Sequence, residues 1–180
     1  YDLALDHFKV NLNLSKAIDD LDGIAYYHDA MGDVYLRKKE LAKSKDHLMQ
    51  ALKSIRERNL TVIEPKALKH LAQLYFEKKE TDKALAYYDT AVHVYEQTDN
   101  KFGIAEANLG ISQILIEQGA FDNAQSLIKQ SLETANQFNA ERMEIDCYKQ
   151  LSELAEKRGD YKTSLAFHKN VKQLEDSMFS

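Results

Sequence analysis

The sequence predicts an all-α fold, an α-solenoid of antiparallel helical hairpins with about nine helices in 180 residues. Three observations carry that prediction. Small side chains recur at a period of 40 residues: Ala4, Ser44, Ala84, Ala124 and Ser164 form one series, and Gly32, Ala72, Ser112 and Ser152 form a second, each 12 residues before its partner. Apolar residues recur at three- and four-residue steps, which is helical spacing. One proline and six glycines leave few places for a helix to break. All nine positions fixed by the period carry Gly, Ala or Ser. A small residue at a fixed place in every unit marks a close approach of two backbones, because a larger side chain would force them apart. Repeats of this length stack into a quasi-one-dimensional array. Residues 1–180 therefore read as a single array, with a half unit at 1–20 and units at about 21–60, 61–100, 101–140 and 141–180.

Each unit is justified by its own residues. In the first, Met31, Val34 and Tyr35 lead to a break near Lys39-Glu40, and Leu41, Leu48, Ala51, Leu52 and Ile55 follow on a second helix. The second runs Leu68, Leu71, Leu74, Tyr75, a break at Lys79-Glu80, then Leu85, Tyr88, Ala91, Val92 and Tyr95. The third has Leu109, Ile111 and Leu115, a break at Gly119, then Phe121, Leu127, Ile128 and Leu132. The fourth has Tyr148, Leu151, Leu154 and Ala155, a break at Gly159, then Tyr161, Leu165, Phe167, Val171 and Leu174. Gly119 and Gly159 suit the left-handed residue that ends a helix, whereas Lys39 and Lys79 hold the same place less favourably. Asp160 is placed to cap the helix after it. Pro65 falls in a first helical turn, where a missing N–H costs least. The spacing predicts helices near 2–19, 23–38, 41–58, 64–78, 81–97, 101–118, 121–137, 140–158 and 161–177. The first of these presents Leu5, Phe8 and Leu12 with no preceding helix to cover them, and Val171, Leu174, Met178 and Phe179 continue an apolar stripe at the other end. Solenoids need polar caps, so both ends are expected to be cut edges or contact surfaces.

Composition excludes several classes of function. Apolar residues are 44% and charged residues 29%, a globular balance. The formal net charge is −5 with no basic block, which argues against a nucleic-acid partner. No apolar run reaches the roughly 20 residues that cross a bilayer, so no membrane insertion of this segment is expected. No signal peptide is recognisable, and a chain starting at Tyr1 is expected to be a piece of something longer. Cys147 is the sole cysteine, so no internal disulfide can form, and its apolar neighbours make it a half-buried packing residue.

The residue pattern resembles the tetratricopeptide repeat. Met31-Gly32 with Tyr35, and Leu71-Ala72 with Tyr75, match that family's first-helix step, and Gly119-Ala120-Phe121 and Gly159-Asp160-Tyr161 match its glycine–aromatic turn. Ala84 with Tyr88 and Ala91 matches the second-helix trio. Departures are local: Ala155 replaces the tyrosine, Leu41 and Thr81 replace the turn aromatic, and the proline that often ends a unit is absent. The unit is longer than the roughly 34 residues common in that family. The alike starts Gly23-Ile24-Ala25 and Gly103-Ile104-Ala105 look like the longer-unit arrays of bacterial signalling proteins. The stretch Tyr161 to Phe179 is similar to the last repeat of sensor arrays that precede a diguanylate cyclase, histidine kinase or DNA-binding output domain.

Catalytic chemistry finds no support in the residues. Metalloprotease, paired-cysteine, dinucleotide and phosphate-loop motifs are all missing, so no catalytic residue, metal ligand or cofactor is assigned. His28 and His168 fall on packing positions and are expected to be interior or interhelical, while His7, His47 and His93 are expected at the surface or edge. Carboxylate pairs such as Glu153 and Glu156 read as a solvated helix face. Tyr27 and Tyr88 read as core.

Binding has the stronger case. The resemblance implies that the first helix of each unit lines a concave groove. That groove would be formed by Tyr26, Asp29, Ala30 and Asp33; Lys66, Lys69, His70 and Gln73; Glu106, Leu109, Gly110 and Gln113; and Asp146, Lys149, Gln150 and Glu153. An extended or helical peptide with an acidic group near Lys66, Lys69 and His70 would fit such a strip. The basic pair of a chaperone-tail clamp is missing, although Lys69 and Gln73 supply half of one. The expected function is a non-enzymatic protein- or peptide-binding module, the sensory or regulatory input of a larger bacterial signalling protein. It would lie in the periplasm as the sensor portion of a membrane-anchored protein, or in the cytoplasm. The alternatives are an assembly scaffold, with a homodimer through the first or last helix, and a peptide-regulated regulator of the response-regulator phosphatase kind.

Overall fold

Small residues set the helix pairing, and left-handed residues set where each helix stops. The computed structural model describes residues 20–178. They form eight helices: α1 (Leu21–Arg37), α2 (Leu41–Glu57), α3 (Glu64–Glu77), α4 (Thr81–Gln97), α5 (Lys101–Glu117), α6 (Phe121–Phe138), α7 (Glu141–Lys157) and α8 (Tyr161–Met178). The fold is all-α, and each predicted helix from 23 onward is found within two residues at either end. The predicted helix at 2–19, with Ala4, Leu5, His7, Phe8 and Leu12, lies outside the described residues, as does Phe179.

The chain forms two compact units, Tyr1–Val94 and Tyr95–Ser180, and the division falls inside α4. In the first unit α1 pairs with α2, and α3 packs on both. In the second, α5 pairs with α6 and α7 with α8, while α7 also packs on α6 and α5.

The eight small repeat residues within the described region are all buried. Two of the four pairs are joined directly. Ser44 Oγ donates to the carbonyl of Gly32 at 2.8 Å, and the hydroxyls of Ser152 and Ser164 lie 2.8 Å apart. A Cβ added at Gly32 would stand 2.4 Å from Leu48 Cδ2, so any larger residue there must push the buried Leu48 side chain aside. Around these pairs the first unit buries Met31, Leu48, Ile55, Leu68, Leu71 and Leu74. The core of the second centres on Leu109, Ile116, Ile128, Met143, Leu151 and Leu154.

Every joint uses one device. The residue after each turn donates its N–H to the carbonyl five residues back, as in Glu40 to Tyr35 and Leu60 to Ile55, each at 2.9 Å. This is the Schellman bond, and it needs a left-handed residue before the donor. Lys39, Lys79, Gly119 and Gly159 hold that place within hairpins, at φ of 59°, 61°, 78° and 78°. Asn59, Asp99 and Asn139 hold it between hairpins, at φ of 55°, 49° and 52°. The chain thus turns through a left-handed residue every 20 residues from 39 to 159. Helix starts are fastened as well: Asp20 accepts from Gly23 N at 2.9 Å, Asn100 from Gly103 N at 2.8 Å, and Asp160 from Thr163 N at 3.1 Å.

The outward stripe of α8 differs from that of α6. Where α6 carries buried Ile128, half-buried Leu132 and buried Ala135, α8 carries His168, Lys172 and Glu175 at the same repeat positions. Tyr161 and Leu165 keep the first turns of the stripe apolar, with Tyr161 72% exposed. His168 is accordingly not an interior residue. It lies on the surface, 3.3 Å from the Glu156 carboxylate.

Candidate functional site

Stacked hairpins of constant length bring residues about 40 apart side by side on neighbouring first helices. In the first unit α1 and α3 meet in this way, and eight expected groove residues fall on them: Tyr26, Asp29, Ala30, Asp33, Lys66, Lys69, His70 and Gln73. Asp29 and His70 are buried, at 4% and 7% exposure. The His70 Nδ1–H donates to Asp29 Oδ1 at 2.8 Å. Lys66 reaches the other carboxylate oxygen at 3.4 Å while its own side chain stays about half exposed. Burial by itself would raise the Asp29 carboxyl, but the bond to His70, the charge of His70 and then Lys66 together hold it below the ordinary value. Asp33 is held by Arg37 one turn on, at 3.0 Å. Tyr26, Lys66 and Gln73 are exposed around this buried pair, and Lys69 is half-buried.

In the second unit α5 and α7 make the equivalent face, with Glu106, Leu109, Gln113, Lys149 and Glu153 on it. Gln150 Nε2 donates to the Leu109 carbonyl at 2.9 Å. Gln113 Nε2 donates to Glu153 at 3.1 Å. Lys149 is tied instead to Glu175 on α8, at 2.9 Å. Leu109 is buried, Gly110 half-buried and Asp146 exposed. The two faces differ in chemistry. The first gathers two lysines and an exposed tyrosine over an ion pair, whereas the second is joined by neutral amides.

Residues 64–137 match the family model of the tetratricopeptide repeat. The match covers less than half of the chain. It runs from the first residue of α3 to the last turn of α6. No curated protein matches the chain. Among solved structures, BtubC (BKLC) from P. vanneervenii is similar at 16% identity and a TM-score of 0.72, over 89% of this chain and 66% of that one. The apo form of RapI is similar at 16% identity and a TM-score of 0.72, over 94% of this chain and 47% of that one. The chain therefore spans about two thirds and about half of these two neighbours, and the likeness is one of fold.

The one cysteine presents no thiol at the surface. Cys147 is fully buried rather than half-buried, and burial, with Asp146 and Glu144 nearby, pushes its thiol up to about 12. A protonated, inaccessible thiol is a packing group. Sequence reasoning missed a different cluster. His28 and His47 meet across the first hairpin with their Nδ1 atoms 3.0 Å apart, and Tyr27 and Tyr35 stand around them. The residues lie 19 apart, the same interval as Tyr148 and Phe167, which pack together in the last hairpin, and that interval was the available signal. Tyr88 is buried as expected, while Tyr27 is half-buried.

Proposed function

We propose that the chain is a non-enzymatic protein- or peptide-binding module whose contact face in the first unit is the one shared by α1 and α3. The observation that carries this reading is the arrangement of Lys66 over Asp29. Lys66 is half exposed yet tethered at 3.4 Å, so its ammonium is held in place without being used up. An incoming carboxylate there meets a positioned cation beside Lys69 and Gln73, with the Tyr26 ring, 51% exposed, offering apolar contact nearby. The partner this favours is an extended or helical segment carrying an acidic group. We read the module as the regulatory input of a larger signalling protein, a reading supported by the long repeat unit.

The test is a fluorescence-anisotropy screen of the intact protein against acidic and basic peptides. Acidic peptides should bind, and the Lys66→Glu/Lys69→Glu variant should lose that binding while its circular dichroism stays that of the parent. Equal affinity of parent and variant would reject the face.

A further inference from the structure

We propose that the paired imidazoles of His28 and His47 form a proton-sensitive latch, which fastens α1 to α2 near neutral pH and releases them once both rings are protonated. The argument begins from the repeat. The position of His28 is held by Leu68, Asn108 and Tyr148 in the other units, and that of His47 by Tyr87, Leu127 and Phe167. None of those six residues changes charge near neutral pH. In the last hairpin the equivalent pair, Tyr148 and Phe167, stacks with ring centroids 6.0 Å apart. The first hairpin alone puts two titratable rings at this helix-to-helix contact.

Geometry makes the contact conditional on charge. The two Nδ1 atoms are 3.0 Å apart, so one must carry the hydrogen and the other must present its lone pair. The pair therefore accepts one added proton and still keeps the bond. A second proton puts N–H against N–H and charge against charge at that separation, and the contact must open.

The surroundings of His47 favour its neutral form without fixing it. Tyr27 lies edge-on to both rings from α1, and Tyr35 sits 5.4 Å from His47. On α2, Lys43 lies over the Tyr35 ring, and the charge of Asp46 favours protonation of its neighbour. From α3, His70 and Lys66 are engaged by Asp29, which follows His28 in sequence. Burial outweighs Asp46 and lowers the affinity of His47 for a proton. The sign follows from linkage. A histidine whose folded-state value is depressed stabilises the fold above its ordinary value and loses that contribution as the pH falls through it.

The experiment combines imidazole NMR with amide hydrogen exchange on the intact protein, from about pH 8 down to pH 5, across the ordinary histidine range. The two rings should titrate in separated steps. From the ordinary histidine value down to the lower step the amides of α1 and α2 should open up to about tenfold more per pH unit for each extra proton the open state takes up, after correction for intrinsic exchange. The amides of α5 to α8 should not follow. His28→Leu/His47→Tyr, which installs the residues of the second hairpin, should remove the dependence. If that variant does not fold, the parent protein still decides. Both rings protonating together at the ordinary histidine value, with α1 and α2 equally protected throughout, would overturn the proposal.

Discussion

The buried Asp29 carboxylate accepts a hydrogen bond from His70 Nδ1 at 2.8 Å, across 41 residues of sequence. One repeat pair further on, the same two positions are Leu109 and Gln150, and there the bond runs from the Gln150 amide to the Leu109 carbonyl at 2.9 Å. The link between first helices is thus kept while its chemistry changes from ionic to neutral, and only the ionic version responds to acid.

Acid should accordingly weaken the first unit through Asp29. Its folded-state value lies below the ordinary one, so its contribution is complete above about pH 4 and fades as the pH falls through that point. Urea unfolding of Asp29→Asn should show a shallower loss of stability between about pH 5 and pH 3 than the parent shows. At neutral pH, Asp29→Ala should cost about 1–3 kcal/mol, because the His70 donor is left buried without its acceptor.

Close approach at Gly32 makes the second prediction. Gly32→Leu should destabilise by about 1–3 kcal/mol, through collision with the fully buried Leu48. Ala84→Leu should behave alike, since Ala84 is fully buried. Thermal unfolding reads both, and an unchanged midpoint at either site would show that the helices have room to part.

The turns predict effects of opposite sign. A Cβ at Gly159 would touch nothing within 4 Å, so only its φ of 78° resists substitution. Gly159→Ala should cost about 1 kcal/mol through backbone strain alone. Lys79→Gly, at φ 61°, should gain roughly 0.5 kcal/mol. Chemical denaturation midpoints of the two single variants test the pair.

Cys147 should be silent toward thiol reagents. With the thiol fully buried and held protonated up to about 12, labelling at pH 8 should proceed only through opening of the second unit. Its rate should therefore rise with urea in step with unfolding. Rapid labelling in native buffer would contradict the burial.

Local signals were legible where a single residue decides the outcome. The start and end of α4 were predicted at 81 and 97, Asp160 caps the helix after it, and Gly119 and Gly159 turn left-handed as their lack of a side chain allows. Asn59, Asp99 and Asn139 escaped notice, although asparagine and aspartate also tolerate that conformation and share the 40-residue period. Long-range outcomes were harder to read. The family resemblance implied Asp29 and His70 as groove residues, but no local signal says that two residues 41 apart will bury each other. His168 was misjudged for a related reason. Its repeat position is buried at Leu48, Tyr88 and Ile128, whereas on α8 it faces solvent.

The polar stripe of α8 bears on what that helix could pack against. His168, Lys172 and Glu175 make the outer surface of α8 costly to dry, because a neighbour would have to replace their hydration while leaving the pairs of His168 with Glu156 and of Glu175 with Lys149 in place. An apolar neighbour is disfavoured on that face, and one with complementary polar groups is preferred.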